Sequence, residues 1–195
     1  MTPEGYDAFD DPYTYPGTTV LKNRLDLRDQ ETLEAFEVEI TTLRAEEPLP
    51  AGEFDSAHYR SVHRHLFQDV YEWAGQYRTV RMAKGSNTFC YPENIPAQMD
   101  LLFRSIREGE AFADLSRDPF LNEIARFLAE LNAIHPFREG NGRTQLSFAG
   151  LLGATFGHPF DFERLDRERF LQAMIASYSG ELQPLLGELR PLLIP

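Results

Sequence analysis

The sequence predicts one mostly α-helical domain interrupted by a single β-hairpin. Apolar residues recur at helical spacing along most of the 195 residues, and one short segment near the middle alternates instead. Hydrophobic residues at 42% and charged residues at 26% are ordinary for a soluble globular domain. Because no repeat or low-complexity tract divides the chain, we expect an N-terminal arm over residues 1–19 and one domain over residues 20–195.

Three helices are expected before the hairpin, over residues 19–25, 29–45 and 56–73. The second has an apolar stripe formed by Leu33, Phe36, Ile40 and Leu43. Gly75 is placed to end the third. That helix also carries three histidines with no accompanying carboxylate or cysteine pattern, so we interpret them as structural or exposed rather than as metal ligands. They are His58, His63 and His65.

The hairpin is predicted where Val80 and Met82 alternate with Arg81, before a turn over residues 84–87 and a return strand over residues 88–91. Such a hairpin can be a simple connector. However, a hairpin without neighbouring strands has an unpaired edge, which can receive an extended peptide by strand addition.

Four helices of ordinary length are expected after the hairpin. They cover residues 95–107, 143–156, 166–178 and 182–192. A longer helix begins at Asp118 and Pro119 and ends before Pro136. Its apolar stripe is formed by Phe120, Ile124, Phe127, Leu128, Leu131 and Ile134. We therefore expect this helix to be buried and to lead directly into the loop that follows it.

That loop, from His135 to Arg143, reads His-Pro-Phe-Arg-Glu-Gly-Asn-Gly-Arg. A loop that leads into a helix presents free backbone N–H groups to an anion. Gly140 and Gly142 carry no side chain that would keep a phosphate away from those groups. Glu139 offers an oxygen ligand for Mg²⁺, Arg143 can bind phosphate oxygens, and His135 is a candidate base. These residues indicate nucleotidyl or phosphoryl transfer to a hydroxyl.

Each of these features has an ordinary explanation when it is taken alone. Gly-Asn-Gly is a common turn, and an isolated histidine is usually packed or exposed. A glutamate followed four residues later by an arginine is usually a solvated ion pair. Their combination in one loop between two predicted helices is far more specific.

The loop resembles the signature of the Fic (filamentation induced by cAMP) family, His-x-Phe-x-Asp/Glu-Gly-Asn-Gly-Arg-x-x-Arg. Every defined position matches from His135 through Arg143, and Leu146 stands where the family has its second arginine. The order of the predicted elements is similar to the Fic fold over residues 20–192. The resemblance implies a single Fic-type helical domain whose β-hairpin is a flap over the site.

The resemblance also implies a reaction, the transfer of AMP from ATP to a Tyr, Ser or Thr hydroxyl of a target protein. In this reaction His135 corresponds to the base, with a pKa expected near the working pH. Glu139 corresponds to the Mg²⁺ ligand, and Phe137 to an apolar anchor of the loop. The remaining phosphate-binding positions correspond to Gly140, Asn141, Gly142 and Arg143. Pro136 and Arg138 are expected to shape the loop and to lie at the surface.

The flap supplies two further sets of candidate residues through the resemblance. The residues expected to dock the main chain of the target are Thr88, Phe89 and Cys90. The residues expected to approach the nucleotide are Lys84, Gly85 and Asn87.

Leu146 departs from the family pattern. Residues three apart on a helix share a face, so the missing arginine would lie beside Arg143. Leucine makes no phosphate contact, and a lost charge-assisted hydrogen bond costs roughly 1.5–3 kcal/mol, on the order of ten- to a hundredfold in affinity or rate. We expect a weakened enzyme, which the intact His135 and Glu139 favour. A catalytically reduced binding module is the alternative, and transfer of UMP or a phosphoryl group is a further variant.

Fic proteins are often inhibited by a helix with the pattern Ser/Thr-x-x-x-Glu-Gly/Asn, and this sequence contains no complete copy. Residues 42–46 are followed by Glu47, and residues 177–181 by Leu182. The resemblance is therefore to the small stand-alone bacterial Fic toxins, whose inhibitory glutamate lies on a separate, small helical antitoxin. Related toxins suggest topoisomerase subunits as targets.

The charge and composition exclude some classes of function. A net charge of −12 argues against a nucleic-acid-binding surface. There is no apolar stretch of membrane-spanning length and no N-terminal signal pattern. The single cysteine, Cys90, suits a reducing compartment. We therefore expect a cytoplasmic protein that contacts neither membranes nor nucleic acid.

Overall fold

The computed structural model describes residues 11–84, 87–107 and 111–194. These residues form seven α-helices and one two-stranded antiparallel sheet, which confirms the mostly helical class with a small hairpin. The helices are α1 (Gln30–Glu46), α2 (Ser56–Phe67), α3 (Ile95–Arg107), α4 (Arg117–Ile134), α5 (Asn141–Thr155), α6 (Arg167–Tyr178) and α7 (Leu182–Leu189). The strands are β1 (Ala83–Lys84) and β2 (Asn87–Thr88). Short 3-10 helices cover Pro92–Asn94, Phe162–Arg164 and Arg190–Leu192.

Helix α4 is the centre of the fold and packs against α3, α5, α6 and α7. Its predicted apolar stripe is buried throughout, from Phe120 to Ile134. Rotation of the helix would expose that stripe to water, so burial fixes where its C-terminal end points. Helices α2 and α5 pack against each other, and α1 packs on α2.

The predicted helix over residues 19–25 is wrong. The chain reverses tightly there, and Thr14 and Leu21 form an isolated antiparallel bridge. The Tyr15 N–H donates to the Val20 carbonyl at 3.0 Å, and the turn between them passes through Gly17 with φ 75°. Proline and glycine at residues 16 and 17 favour a turn more strongly than the apolar spacing that follows favours a helix.

Helix α1 lies where it was predicted, but the buried face differs. The residues buried on it are Leu33, Glu37 and Thr41, whereas Leu43 is 52% exposed. The predicted stripe is therefore wrong at Leu43. A carboxylate and a hydroxyl occupy core-facing positions on this helix, and both contact the loop described below.

Helix α2 ends at Phe67, earlier than predicted, and residues 68–75 form turns. The Val70 carbonyl accepts a hydrogen bond from the Arg24 N–H at 2.9 Å, and the rings of Tyr71 and Trp73 stack with centroids 4.3 Å apart. These contacts hold the segment out of helical conformation. Gly75 is left-handed, with φ 79°, but it follows a turn rather than a helix, so its predicted role in ending the third helix is wrong.

The hairpin is shorter than predicted, because residues 78–82 do not form a strand. The Arg78 N–H donates to the Pro136 carbonyl at 2.9 Å instead of to a sheet partner.

Two of the later helices also begin earlier than predicted, α4 at Arg117 after Ser116 and α5 at Asn141. None of the helices in the described ranges is both long and apolar enough to cross a membrane.

Candidate functional site

Helix α4 delivers His135 to the start of the loop. His135 follows the last helical residue in a left-handed conformation, with φ 48° and ψ 64°. This conformation costs a non-glycine residue about 1–3 kcal/mol and persists only where the surrounding structure imposes it. Arg78 imposes it here, because its buried side chain donates from Nε to the His135 carbonyl at 2.7 Å and its backbone N–H donates to the Pro136 carbonyl.

The His135 ring is buried and stacks on Phe89 with the ring centroids 4.0 Å apart. Burial and nearby positive charges lower the pKa of His135 to about 3. The charges belong to Arg78, Lys84 and Arg138. Contrary to the expected pKa near the working pH, the imidazole is thus neutral well below pH 7 and can accept a proton.

Phe137 anchors the loop in the core, as predicted. Its ring stacks on those of His63, at 3.8 Å, and Tyr59, at 5.7 Å. His63 Nδ1 accepts the Gly75 N–H at 2.8 Å, so its Nε2 carries the proton and donates to the Glu139 carbonyl at 3.0 Å. His63 is structural, as interpreted, but its spacing in the sequence did not indicate that it supports the loop.

Asn141 closes the loop on itself. Its Oδ1 accepts the Phe137 N–H at 3.0 Å, and its Nδ2 donates to the Phe137 carbonyl at 2.8 Å. The amide of Asn141 thus holds the loop, and its backbone N–H, in the first turn of α5, can donate to a phosphate. Gly140 has φ 82°, and a Cβ there would lie 2.3 Å from the Phe67 ring, so backbone conformation and packing both require glycine.

Helix α5 begins at this point without a side-chain cap. The N–H groups of Asn141, Gly142 and Arg143 belong to its first turn and have no acceptor within the helix. A Cβ added to Gly142 would meet no described atom within 4 Å. An uncapped helix start with open space beside it suits an anion, and the helix dipole adds to the attraction.

Glu139 stands beside this helix start. Its Oε1 accepts the Gly140 N–H at 2.8 Å and lies 3.6 Å from the Arg143 guanidinium. Partial burial, and then the neighbouring Glu37, raise the pKa of the Glu139 carboxyl, while Arg143 lowers it. A cation would relieve this environment, so Glu139 fits Mg²⁺, which commonly binds one or two carboxylates together with waters and phosphates. Across the described ranges, no three His, Cys, Asp or Glu residues gather into a metal-holding cluster of their own.

Arg143 is held by residues of α1. Its Nη2 donates to the Glu37 carboxylate and its Nη1 donates to the Thr41 hydroxyl at 3.1 Å. The guanidinium also lies over the Phe67 ring, 4.7 Å from the centroid. The Tyr71 hydroxyl donates to the other Glu37 oxygen. Sequence reasoning missed Glu37 and Thr41, although a carboxylate at a core-facing helical position is a pattern that could have indicated them.

Arg138 was predicted at the surface, and this is wrong. Its side chain is 8% exposed and pairs at 2.7 Å with Asp11, whose side chain is 7% exposed. Asp11 belongs to the N-terminal arm, and nearby Tyr13 packs edge-on against Trp73 at 5.5 Å. The part of the arm that the structure describes therefore supports the loop. A domain boundary at residue 19 stays a prediction.

The β2 side of the flap is bonded to the body of the domain. The Tyr178 hydroxyl donates to the Thr88 carbonyl, and the Cys90 N–H donates to the Ala133 carbonyl at 3.1 Å. Phe89, between them, covers the His135 ring. The three residues predicted to dock a target thus contact the domain itself.

The remaining predicted residues lie at or near the loop. Lys84 and Asn87 face each other across the hairpin, and the charge of Lys84 reaches His135. Gly85 lies outside the described residues. Leu146 is half-buried against the core on α5, one turn beyond Arg143. An aliphatic side chain therefore occupies the altered position as a packing residue.

Comparison with known proteins decides the family. The family model described as Fic/DOC family matches residues 53–152, from the start of α2 into α5, and so includes the whole loop. The chain belongs to the Fic/DOC family. The resemblance carried by residues 135–143 is confirmed.

Relatives of this Fic protein agree with that assignment. The chain is 51% identical to the Probable protein adenylyltransferase y4lH of Sinorhizobium fredii, over 95% of this chain and 97% of that protein. It is 34% identical to the Probable protein adenylyltransferase Fic of Escherichia coli K12, over 90% of this chain and 88% of that protein. Among solved structures, Bartonella tribocorum BepC with bound AMPPNP matches with a TM-score of 0.84 and 28% identity, over 94% of this chain and 96% of that one.

Two buried histidines make the fold sensitive to acid. The pKa values of His63 and His135 fall from 6.5 to about 3 in the folded state. Below pH 6.5 the unfolded chain therefore binds protons that the folded chain does not. The free energy of unfolding should decrease as the pH falls towards 3, by at most about 1.4 kcal/mol per pH unit for each histidine.

We expect His63→Gln, whose amide can keep both hydrogen bonds, to weaken this pH dependence. The measurement is urea unfolding at pH 7, 6 and 5, with His65→Gln on the same helix as the matched control. If His63→Gln kept the full pH dependence, the lowered pKa of His63 would be contradicted.

Proposed function

We propose that this Fic protein transfers AMP from ATP to a hydroxyl side chain of a target protein and releases pyrophosphate. One observation carries the proposal: the uncapped start of α5 lies beside Glu139 and Arg143, on the loop that begins at the neutral His135. The names of the two relatives as probable protein adenylyltransferases support it, as does the AMPPNP bound to BepC.

In the proposed reaction the target hydroxyl oxygen attacks the α-phosphorus, and the bond from that phosphorus to the pyrophosphate oxygen breaks. His135 accepts the hydroxyl proton. Because its pKa is about 3, it is a weak base, and we expect the proton to move only as the new oxygen–phosphorus bond forms. The first N–H groups of α5 and the Arg143 guanidinium bind phosphate oxygens, while Glu139 holds Mg²⁺, which when bound offsets the phosphate charge.

The residue at position 146 supports a weakened enzyme. Leu146 packs against the core beside Arg143, so the phosphate tail would be held by one motif arginine instead of two. The same observation favours a second candidate function, a catalytically reduced module that binds a nucleotide or a protein without efficient turnover. The neutral His135 favours the enzyme, because a binding module has no need of a base.

The flap suggests which edge receives the target. Phe89 donates its N–H to the Met82 carbonyl at 3.1 Å, and Ala83 faces Thr88 in the next register position. Hydrogen-bonded pairs alternate in antiparallel strands, so the main-chain groups of Ala83 point away from β2. Since Tyr178 already bonds the outer side of Thr88, we propose that an extended target segment pairs with β1.

Partners and place of action follow from the family resemblance. We propose that the chain acts as the toxin of a pair, with a small helical antitoxin that supplies an inhibitory glutamate. The target is proposed to be a topoisomerase subunit, modified at a Tyr, Ser or Thr hydroxyl. The cytoplasm, where ATP and such targets meet, is the proposed place of action.

His135→Ala should abolish AMP transfer, with a loss of roughly a hundredfold or more, because a positioned base contributes on that order. ATP binding should stay unchanged, since His135 is not a proposed phosphate ligand. The measurement pairs labelled AMP incorporation into bacterial lysate with calorimetric titration of ATP, both with Mg²⁺. His65→Ala serves as the control. A loss of ATP affinity as large as the loss of transfer would contradict the role of base.

Leu146→Arg should raise AMP transfer by roughly ten- to a hundredfold, because it restores a charge-assisted phosphate contact. Leu146→Met, which keeps an apolar side chain, should leave the rate unchanged. Melting temperatures of both variants separate a functional effect from the cost of an arginine at a half-buried position. If Leu146→Arg were as stable as the wild type and gained no transfer activity, the binding module would be favoured instead.

Ala83→Pro should reduce modification of the target while leaving ATP affinity unchanged, because proline removes an outward N–H from an edge strand that tolerates it. Ala83→Val keeps that N–H and is the matched control. The two variants are compared by target modification and by titration with ATP. Equal target modification by both variants would show that β1 is not the docking edge.

A further inference from the structure

A buried carboxylate outside the motif contacts the motif arginine. Glu37 lies in the middle of α1 and is 7% exposed, although glutamates are almost never buried without a partner. Both of its carboxylate oxygens accept hydrogen bonds, one from Arg143 and the other from the Tyr71 hydroxyl. Glu37 therefore links α1, the segment after α2 and the first turn of α5.

The contacts fix the orientation of the Arg143 guanidinium. Glu37 binds one terminal nitrogen, Thr41 binds the other, and Phe67 lies beneath the guanidinium plane. The Thr41 hydroxyl is itself oriented, because it donates to the Glu37 carbonyl at 2.7 Å. A long arginine side chain normally samples many rotamers, and holding it in one reduces the entropy lost when it binds a ligand.

The same contacts leave part of the guanidinium available. Arginine has five N–H donors, and its side chain here is 35% exposed. Within the described part of the chain, the hydrogen bonds to α1 involve Nη1 and Nη2 and leave the Nε–H unused. Glu37 thus holds Arg143 in place without enclosing it.

The residue at position 146 increases the importance of this contact. With Leu146 on the next turn of α5, the motif offers one arginine to a phosphate tail instead of two, so the orientation of Arg143 matters more for binding that tail. The side chains that orient Arg143 lie outside the motif, on α1.

We propose that Glu37 is a positioning residue that fixes Arg143 to bind the β- and γ-phosphates of the nucleotide, with Thr41 and Tyr71 completing the support. The proposal rests on the proposed ATP-dependent function. It differs from a purely structural role, because it requires an effect that depends on the number of phosphates in the nucleotide.

The test compares ATP, ADP and AMP binding to wild-type protein and to Glu37→Gln by calorimetric titration with Mg²⁺. Glutamine keeps the size of the side chain and removes its charge. We expect ATP and ADP affinity to fall by roughly tenfold, the scale of one weakened charge-assisted hydrogen bond, while AMP affinity is unchanged. Glu39→Gln changes an exposed carboxylate on the same helix and should bind all three nucleotides like the wild type.

Thr41→Val provides a second variant that removes only the hydroxyl, and melting temperatures are recorded for every protein. It should show the same dependence on phosphate number with a smaller loss, and it carries the test if Glu37→Gln does not fold. An equal loss for all three nucleotides would overturn the proposal in favour of a structural role. A gain in ATP affinity would overturn it in favour of Glu37 withholding Arg143. Failure of the proposed function is recognised separately, because the wild-type protein itself would then bind no ATP.

Discussion

The buried guanidinium of Arg78 is the interaction on which the geometry of this site depends. It donates hydrogen bonds to the carbonyls of Val80 and Cys90 in the flap, and to those of Ile134 and His135 at the end of α4. Burial lowers the pKa of Arg78 to about 10, so it remains charged at neutral pH. The carbonyls at a helix C-terminus are unpaired and carry negative partial charge, which makes them good partners for a cation. One side chain thereby joins the flap to the residue proposed as the base.

The support of the loop follows the same pattern, in which side chains from outside the motif bind its backbone or its charged groups. His63 holds the Glu139 carbonyl and stacks on Phe137, while Asp11 pairs with Arg138. Removing one partner of a buried ion pair leaves an uncompensated charge, which costs about 3–5 kcal/mol. These contacts constrain the loop, which reduces the entropy that ligand binding must overcome.

The sequence was sufficient for the motif and for the helix that carries it, because both depend on local spacing. The stripe of α4 repeats with the helical period, and burial confirmed it at every position from Phe120 to Ile134. The contacts that complete the site could not be predicted, because they join residues far apart in the chain, such as Glu37 with Arg143. In a single sequence, Glu37 and Arg143 are two charged residues far apart, and nothing indicates that they are in contact. The end of α2 was also predicted too late in the chain, for a related reason. The Val70 carbonyl accepts a hydrogen bond from the Arg24 N–H, which lies far away in the chain.

The charges at the loop suit the cation that we propose beside Glu139. Two carboxylates, Glu37 and Glu139, lie near one guanidinium, that of Arg143, so the group carries more negative than positive charge. Glu37 is already paired with that guanidinium, and burial, followed by repulsion from Glu37, raises the pKa of the Glu139 carboxyl. A second motif arginine would balance this charge, and Leu146 does not. In the proposed reaction, the backbone N–H groups of α5 and a divalent cation at Glu139 would offset the charge of the polyphosphate.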